Sequence, residues 1–144
     1  MVRLTRREYT DLLTFRAGLR RFLRWSEAQA IEVGLTPAQH QLLLAVKGHP
    51  DRRGPTIREV SAYLSTAHHS AGELVERAEA GGYVRRCPDS DDARLVRVRL
   101  TALGDQRIRR LAKLHLQELH RLAPLFDRLG ADHDVEPSAG PAGG

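Results

Sequence analysis

A single cysteine, Cys87, in 144 residues excludes an intrachain disulfide and suits a reducing compartment. No apolar run approaches the roughly 20 residues that a spanning helix needs. Met1–Glu8 holds no signal-peptide core, so a cytoplasmic location with no membrane partner is expected. There is no internal repeat, and no nucleophile elbow, P-loop or dinucleotide fingerprint; catalysis has no support and no cofactor is expected. A metal site is not expected either. His68 and His69 are adjacent and splay apart on a helix, and His115 and His120 are five apart rather than the four that stacks two ligands. What remains is one domain, 41% hydrophobic and 28% charged, with net charge +5 and pI near 10.1. That balance favours an anionic partner, although basicity alone does not separate nucleic acid from a membrane surface.

The most informative stretch is RRCPDSDDARLVRVRLT, Arg85–Thr101. A polar turn cluster, PDSDDA, separates two runs that read as strands, Tyr83–Cys87 and Leu95–Leu100. In the second, Val96, Val98 and Leu100 alternate with arginines, the period-2 pattern of a half-buried strand. The segment reads as a β-hairpin with a charged tip and arginines at its exposed positions. It follows a helix-turn-helix pattern directly, which makes it a wing, and a wing implies DNA.

The rest of the chain reads as helices. Thr5-Arg-Arg-Glu8 is a capping box opening a helix that carries Leu12, Phe15, Leu19, Phe22, Leu23, Ser26 and Ala30 on one face and ends near Gly34. Thr36-Pro-Ala-Gln39 opens a second helix, which stops at Gly48. Thr56-Ile-Arg-Glu59 opens a third, short one. Ser65-Thr66 reads as a turn and fresh N-cap for a fourth, about Ala67–Ala80, which buries Ala71, Leu74, Val75 and Ala78. Thr101 caps a last helix with Ile108, Leu111, Leu114, Leu119, Leu122 and Leu125 on its apolar face; Pro124 is expected to kink or end it. The expected fold is mainly α with a small β-hairpin. Residues 1–34 form an N-terminal dimerisation helix, 35–101 a winged helix-turn-helix DNA-binding domain, 102–129 a C-terminal dimerisation helix and 130–144 a disordered tail. The flanking helices carry apolar faces that a core of this size cannot cover, so a second copy of the chain is the natural cover.

In a helix-turn-helix the second helix lies in the major groove with its N-terminal side chains at base edges. Here those are Ala67, His68, His69, Ser70 and Gly72, of which the two histidines and Ser70 can bond to base edges. Thr56 and Thr66, at helix N-termini, suit phosphate contacts. Arg94 at the wing tip has the reach and charge for the minor groove, and Arg85, Arg86 and Arg97 are expected near the DNA backbone.

Asp92-Ala-Arg94, followed by Val98-Arg-Leu100-Thr101 and Gly104, resembles the wing pattern D-x-R-x-x-x-V-x-L-T-x-x-G of the multiple-antibiotic-resistance regulator (MarR) family. Glu73–Arg86 and Leu35–Val46 are similar to that family's recognition-helix end and second helix, and the resemblance spans about residues 10–126. It implies a homodimer joined by the first and last helices. It further implies a pseudo-palindromic operator, repression, and release of DNA by a small phenolic or other aromatic effector bound between the dimerisation helices and the DNA-binding lobe. It assigns Arg94 as the wing arginine and Asp92 as the acidic residue bracing the wing. Gly72-Glu73 departs from the family's usual polar pair; Glu73 would repel phosphate, so base contacts are expected to centre on His68, His69 and Ser70.

Phe22, Trp25 and His40 are candidate pocket residues, with Arg16 as a cation for an anionic ligand. The plainer reading is that the aromatics are packing and Arg16 a solvated surface charge. A constitutive DNA-binding or architectural protein without a ligand is the competing reading. A redox-responsive regulator is another, because Arg85 and Arg86 beside Cys87 would favour its thiolate.

Overall fold

The computed structural model describes residues 3–130; the tail expected beyond Gly130 lies outside them. The elements run α1 (Arg6–Glu32), α2 (Pro37–Lys47), α3 (Ile57–Leu64), α4 (His68–Ala80), β1 (Val84–Pro88), β2 (Val96–Leu100) and α5 (Ala102–Gly130). They form a winged helix-turn-helix lobe flanked by two long helices. Each of the three capping boxes closes: Thr5, Thr36 and Thr56 accept from the backbone of Glu8, Gln39 and Glu59, whose side chains reach back to the cap.

Three local readings are corrected. The fourth helix has Ala67, not Thr66, as N-cap and no side-chain cap bond, because Ser65 takes the left-handed conformation (φ 50°) and the turn consumes one more residue. The wing strands begin one residue later than expected, at Val84 and Val96. Pro124 does not end α5, which continues to Gly130.

The strands pair antiparallel from Val84↔Leu100 to Pro88↔Val96, and Thr56 adds a bridge to Arg97. The loop before α3 therefore acts as a third, minimal strand against the wing. Val98 is buried, but Val96 is exposed, so the alternation anchors the wing through its middle and base.

Two glycines permit this closeness. Gly54 has φ 86°, and a Cβ there would stand 1.9 Å from the Val98 carbonyl oxygen. A Cβ on Gly104, in the first turn of α5, would stand 2.0 Å from that of Tyr83. Only glycine lets the backbones approach so closely.

Among the described residues, every buried apolar side chain lies between Ala30 and Leu111. The core belongs to the lobe. Beyond it, α1 exposes Leu12, Leu13, Phe15, Leu19 and Leu23, and α5 exposes Leu116 and Leu119. Phe15 packs edge-on against Phe126, with ring centroids 5.4 Å apart, which ties the outer parts of α1 and α5 to each other. No described helix is long and apolar enough to cross a membrane.

Candidate nucleic-acid interface

The first turn of α4 presents His68, His69 and Ser70 to solvent while Ala71, Leu74, Val75 and Ala78 on the opposite face are buried in the lobe. That division follows from the helical period: the buried positions recur at three- and four-residue steps, which leaves His69, Glu73 and Glu76 along the outer ridge. His69 Nε2 lies 3.1 Å from Glu73 Oε1. Thr66 is exposed just ahead of the helix, with its backbone N–H donating to Ser61. Only its hydroxyl is left for a phosphate.

Thr56 is placed differently from the sequence expectation. It is buried; its hydroxyl and backbone N–H are both engaged by Glu59, and it bridges the wing at Arg97. It is a structural cap, with no donor to offer DNA. Nearby, the His49 side chain is also buried. Its Nδ1 accepts from Asp51 N–H and its Nε2 lies 2.7 Å from Glu59 Oε2, so the loop is fastened to the start of α3.

At the wing tip, Arg94 is 90% exposed, and its guanidinium is held by Asp92 in the same turn, Nη2 to Oδ2 3.1 Å. Asp92 also accepts the Arg94 backbone N–H at 3.0 Å. This hydrogen bonding pulls the Asp92 carboxyl below its ordinary range and raises the Arg94 pKa.

The wing itself is braced by Asp89. This carboxylate is 3% exposed; it pairs with Arg97 and accepts the backbone N–H groups of Asp91 and Asp92 at 3.0 and 2.9 Å. The pairing with Arg97 draws its pKa down to about 2. The bracing role expected of Asp92 is therefore carried by Asp89, and Asp92 serves the tip turn alone.

Arg97 is also corrected. It is 12% exposed, with Nη1 donating to the Gly54 carbonyl at 2.8 Å, so it fastens the wing to the loop before α3 and does not face outward. Arg53, which sequence reasoning passed over, spans the same junction through Asp51 (2.9 Å), Asp91 (3.1 Å) and Asp89 (3.4 Å). Arg86 is partly exposed and bound to Glu79 at 2.9 Å. Arg85 is exposed; so are Arg52, Arg58 and Arg99, which the sequence reading did not single out. None of these four has an ion pair among the described residues. Cys87 is half-buried in β1 opposite Arg97.

Three of the candidate pocket residues come together. Trp25 and Phe22 of α1 and His40 of α2 surround His115 of α5, with ring centroids 4.9, 6.0 and 4.8 Å from it. His115 Nδ1 faces the Leu111 carbonyl at 2.7 Å and so carries the proton. Its Nε2 then accepts from the Ser26 hydroxyl, also at 2.7 Å. Burial first, and His115 second, push the His40 pKa below its ordinary value, which keeps the ring neutral. A cavity of about 380 Å³ opens beside this cluster, lined by Phe22, Ser26, His40, Leu44, Ile108 and His115 among others. Arg16 is exposed and does not line it. His115 was missed because its partners lie on helices far away in sequence; its only sequence signal was a spacing unsuited to metal. Among the described residues no cluster of metal-ligating side chains forms.

A family model described as MarR family matches residues 33–95, which span α2, the helix-turn-helix and the first wing strand. Among solved structures, the chain is similar to a MarR family transcription regulator at 20% identity and TM-score 0.70, covering 85% of this chain and 80% of that one. It is similar to a mutant of E. coli MarR complexed with operator DNA at 21% identity and TM-score 0.62, covering 85% and 81%. It is also similar to a mutant of S. aureus MepR bound to an oligodeoxyribonucleotide at 16% identity and TM-score 0.65, covering 85% and 84%. At these identities the likeness is one of fold. Against curated proteins no match is found.

Proposed function

We propose that the chain is a transcription regulator of the MarR family, a cytoplasmic homodimeric repressor that binds a pseudo-palindromic operator and leaves it when a small aromatic compound binds. The observation that carries DNA reading is α4, whose first turn offers His68, His69 and Ser70 to solvent on a helix otherwise docked into the core. Such a helix fits the major groove. Arg94 at the exposed wing tip enters the minor groove, and Arg85, with the hydroxyl of Thr66, meets phosphate. The exposed Arg52, Arg58 and Arg99 add to the positive field. The MarR and MepR mutants solved with DNA, to which this chain is similar in fold, support this reading.

Dimerisation follows from the core ending at Leu111 while α1 and α5 carry exposed leucines beyond it. A two-fold dimer sets the two α4 helices about 34 Å apart, one turn of DNA. The effector reading rests on the cavity at the His40–His115 contact. It lies where α2 of the reading lobe meets α1 and α5, and its volume is in the range of small-molecule sites. A ligand that binds better when α2 is displaced from α5 would change the separation of the reading helices; equal affinity for both states would change nothing. Selection of bound sites from random DNA, repeated with a panel of aromatic acids and phenols, tests the whole reading. A dyad-symmetric motif lost with one of these compounds is expected, and the absence of any motif would overturn it.

A further inference from the structure

The outer ridge of α4 carries a group that a surface built only to attract DNA would not keep. Glu73 is exposed, points away from the core, and lies one turn from His69, with Nε2 to Oε1 3.1 Å. Among the described residues neither side chain bonds to another element, so the fold does not call for the pair. The His69 and Glu73 side chains are 86% and 54% exposed, so the approach to both is open. A carboxylate here is repelled by every phosphate it passes. It matches one feature of the major groove well, however: the N4 amino group of cytosine, a donor, beside the guanine acceptors O6 and N7.

We infer that His69 and Glu73 together read one C·G base pair, Glu73 accepting from cytosine N4 and His69 donating to guanine. This rests on α4 being the groove-reading helix. A hydrogen-bond donor and acceptor already at contact distance complement an edge where a donor and acceptors are neighbours. Adenine also offers an amino group, but its N6 is flanked by acceptors on both sides, its own N7 and thymine O4. A carboxylate there meets two sets of lone pairs. Cytosine N4 has one acceptor neighbour, guanine O6, and His69 covers it. Glu73 thus gives up general affinity for discrimination, which is how a specificity-determining residue differs from a phosphate anchor.

The test is selection of bound sites from random DNA with the full chain, then with Glu73→Gln and His69→Ala. Wild type is expected to require C·G at one position of each half-site. Glu73→Gln, whose amide suits adenine, should lose that requirement by on the order of 10-fold, move towards A·T at that position alone, and bind unrelated DNA at least as well as wild type. His69→Ala should relax the same position. A wild-type motif that Glu73→Gln leaves unaltered overturns this assignment and leaves the DNA-reading role of α4 standing. If wild type selects no motif, the role of α4 fails and the assignment fails with it.

Discussion

Substituting Gly54 by alanine probes how the wing is hung on the lobe. Gly54 holds φ 86°, where an L side chain costs about 1–2 kcal/mol. The new Cβ would stand 1.9 Å from the Val98 carbonyl oxygen. A relaxed carbon–oxygen contact is about 3.3 Å, so the middle of β2 must retreat by more than about 1 Å. Overpacking of this kind costs about 1–3 kcal/mol. The retreat also stretches the bond from Val98 N–H to the Pro55 carbonyl, now 2.8 Å, for about 1 kcal/mol more. Gly54→Ala should therefore destabilise by roughly 3–6 kcal/mol, lowering the melting temperature by on the order of 10–20 °C. Gly72→Ala is the internal control: its Cβ meets nothing, and a helix interior gains about 1 kcal/mol from the change. Thermal unfolding followed by circular dichroism measures both. A Gly54→Ala protein melting within a few degrees of wild type would show that the wing is not held by this contact.

Three further outcomes are expected. Asp92→Asn keeps the acceptor for the Arg94 backbone N–H but frees the guanidinium from its counter-charge. Operator binding should tighten at low salt, and the slope of log K against log salt should steepen by about 2 for a dimer with two wings; an unaltered slope would overturn the placing of Arg94 in the minor groove. His40 binds protons less readily when folded than at its ordinary pKa of 6.5. Its neutral packing is therefore fully present above that pH, and stability should fall as pH drops below it. Urea unfolding of wild type and His40→Gln between pH 7.5 and 5.5 measures this, and equal losses in both would dismiss the residue. The pair Leu13→Glu and Leu116→Glu places charges on the uncovered faces of α1 and α5. Sedimentation equilibrium should find monomers with a folded lobe, and a surviving dimer would place the interface elsewhere.

Much of this architecture is written in short-range chemistry. The three capping boxes depend on residues three apart, and the strand alternation around Val98 on residues two apart, so both are visible before folding. What the sequence conceals depends on which groups meet. PDSDDA offers three aspartates; the bond from Asp89 N–H to the Leu95 carbonyl closes the loop, and the Asp89 side chain is the buried one. Arg97 falls on the exposed phase of the strand by alternation alone, yet the Thr56 bridge covers that side. Ser26 and His115 are 89 residues apart, a separation at which no local pattern announces a contact.

A core that ends at Leu111 also bears on quantity. If the outer parts of α1 and α5 are covered only in the dimer, folding of those segments, pairing and operator occupancy share one equilibrium. At low copy number, occupancy then rises with the square of chain concentration. Halving the amount of protein costs well over half of the bound operators, and abundance becomes a control input alongside any effector.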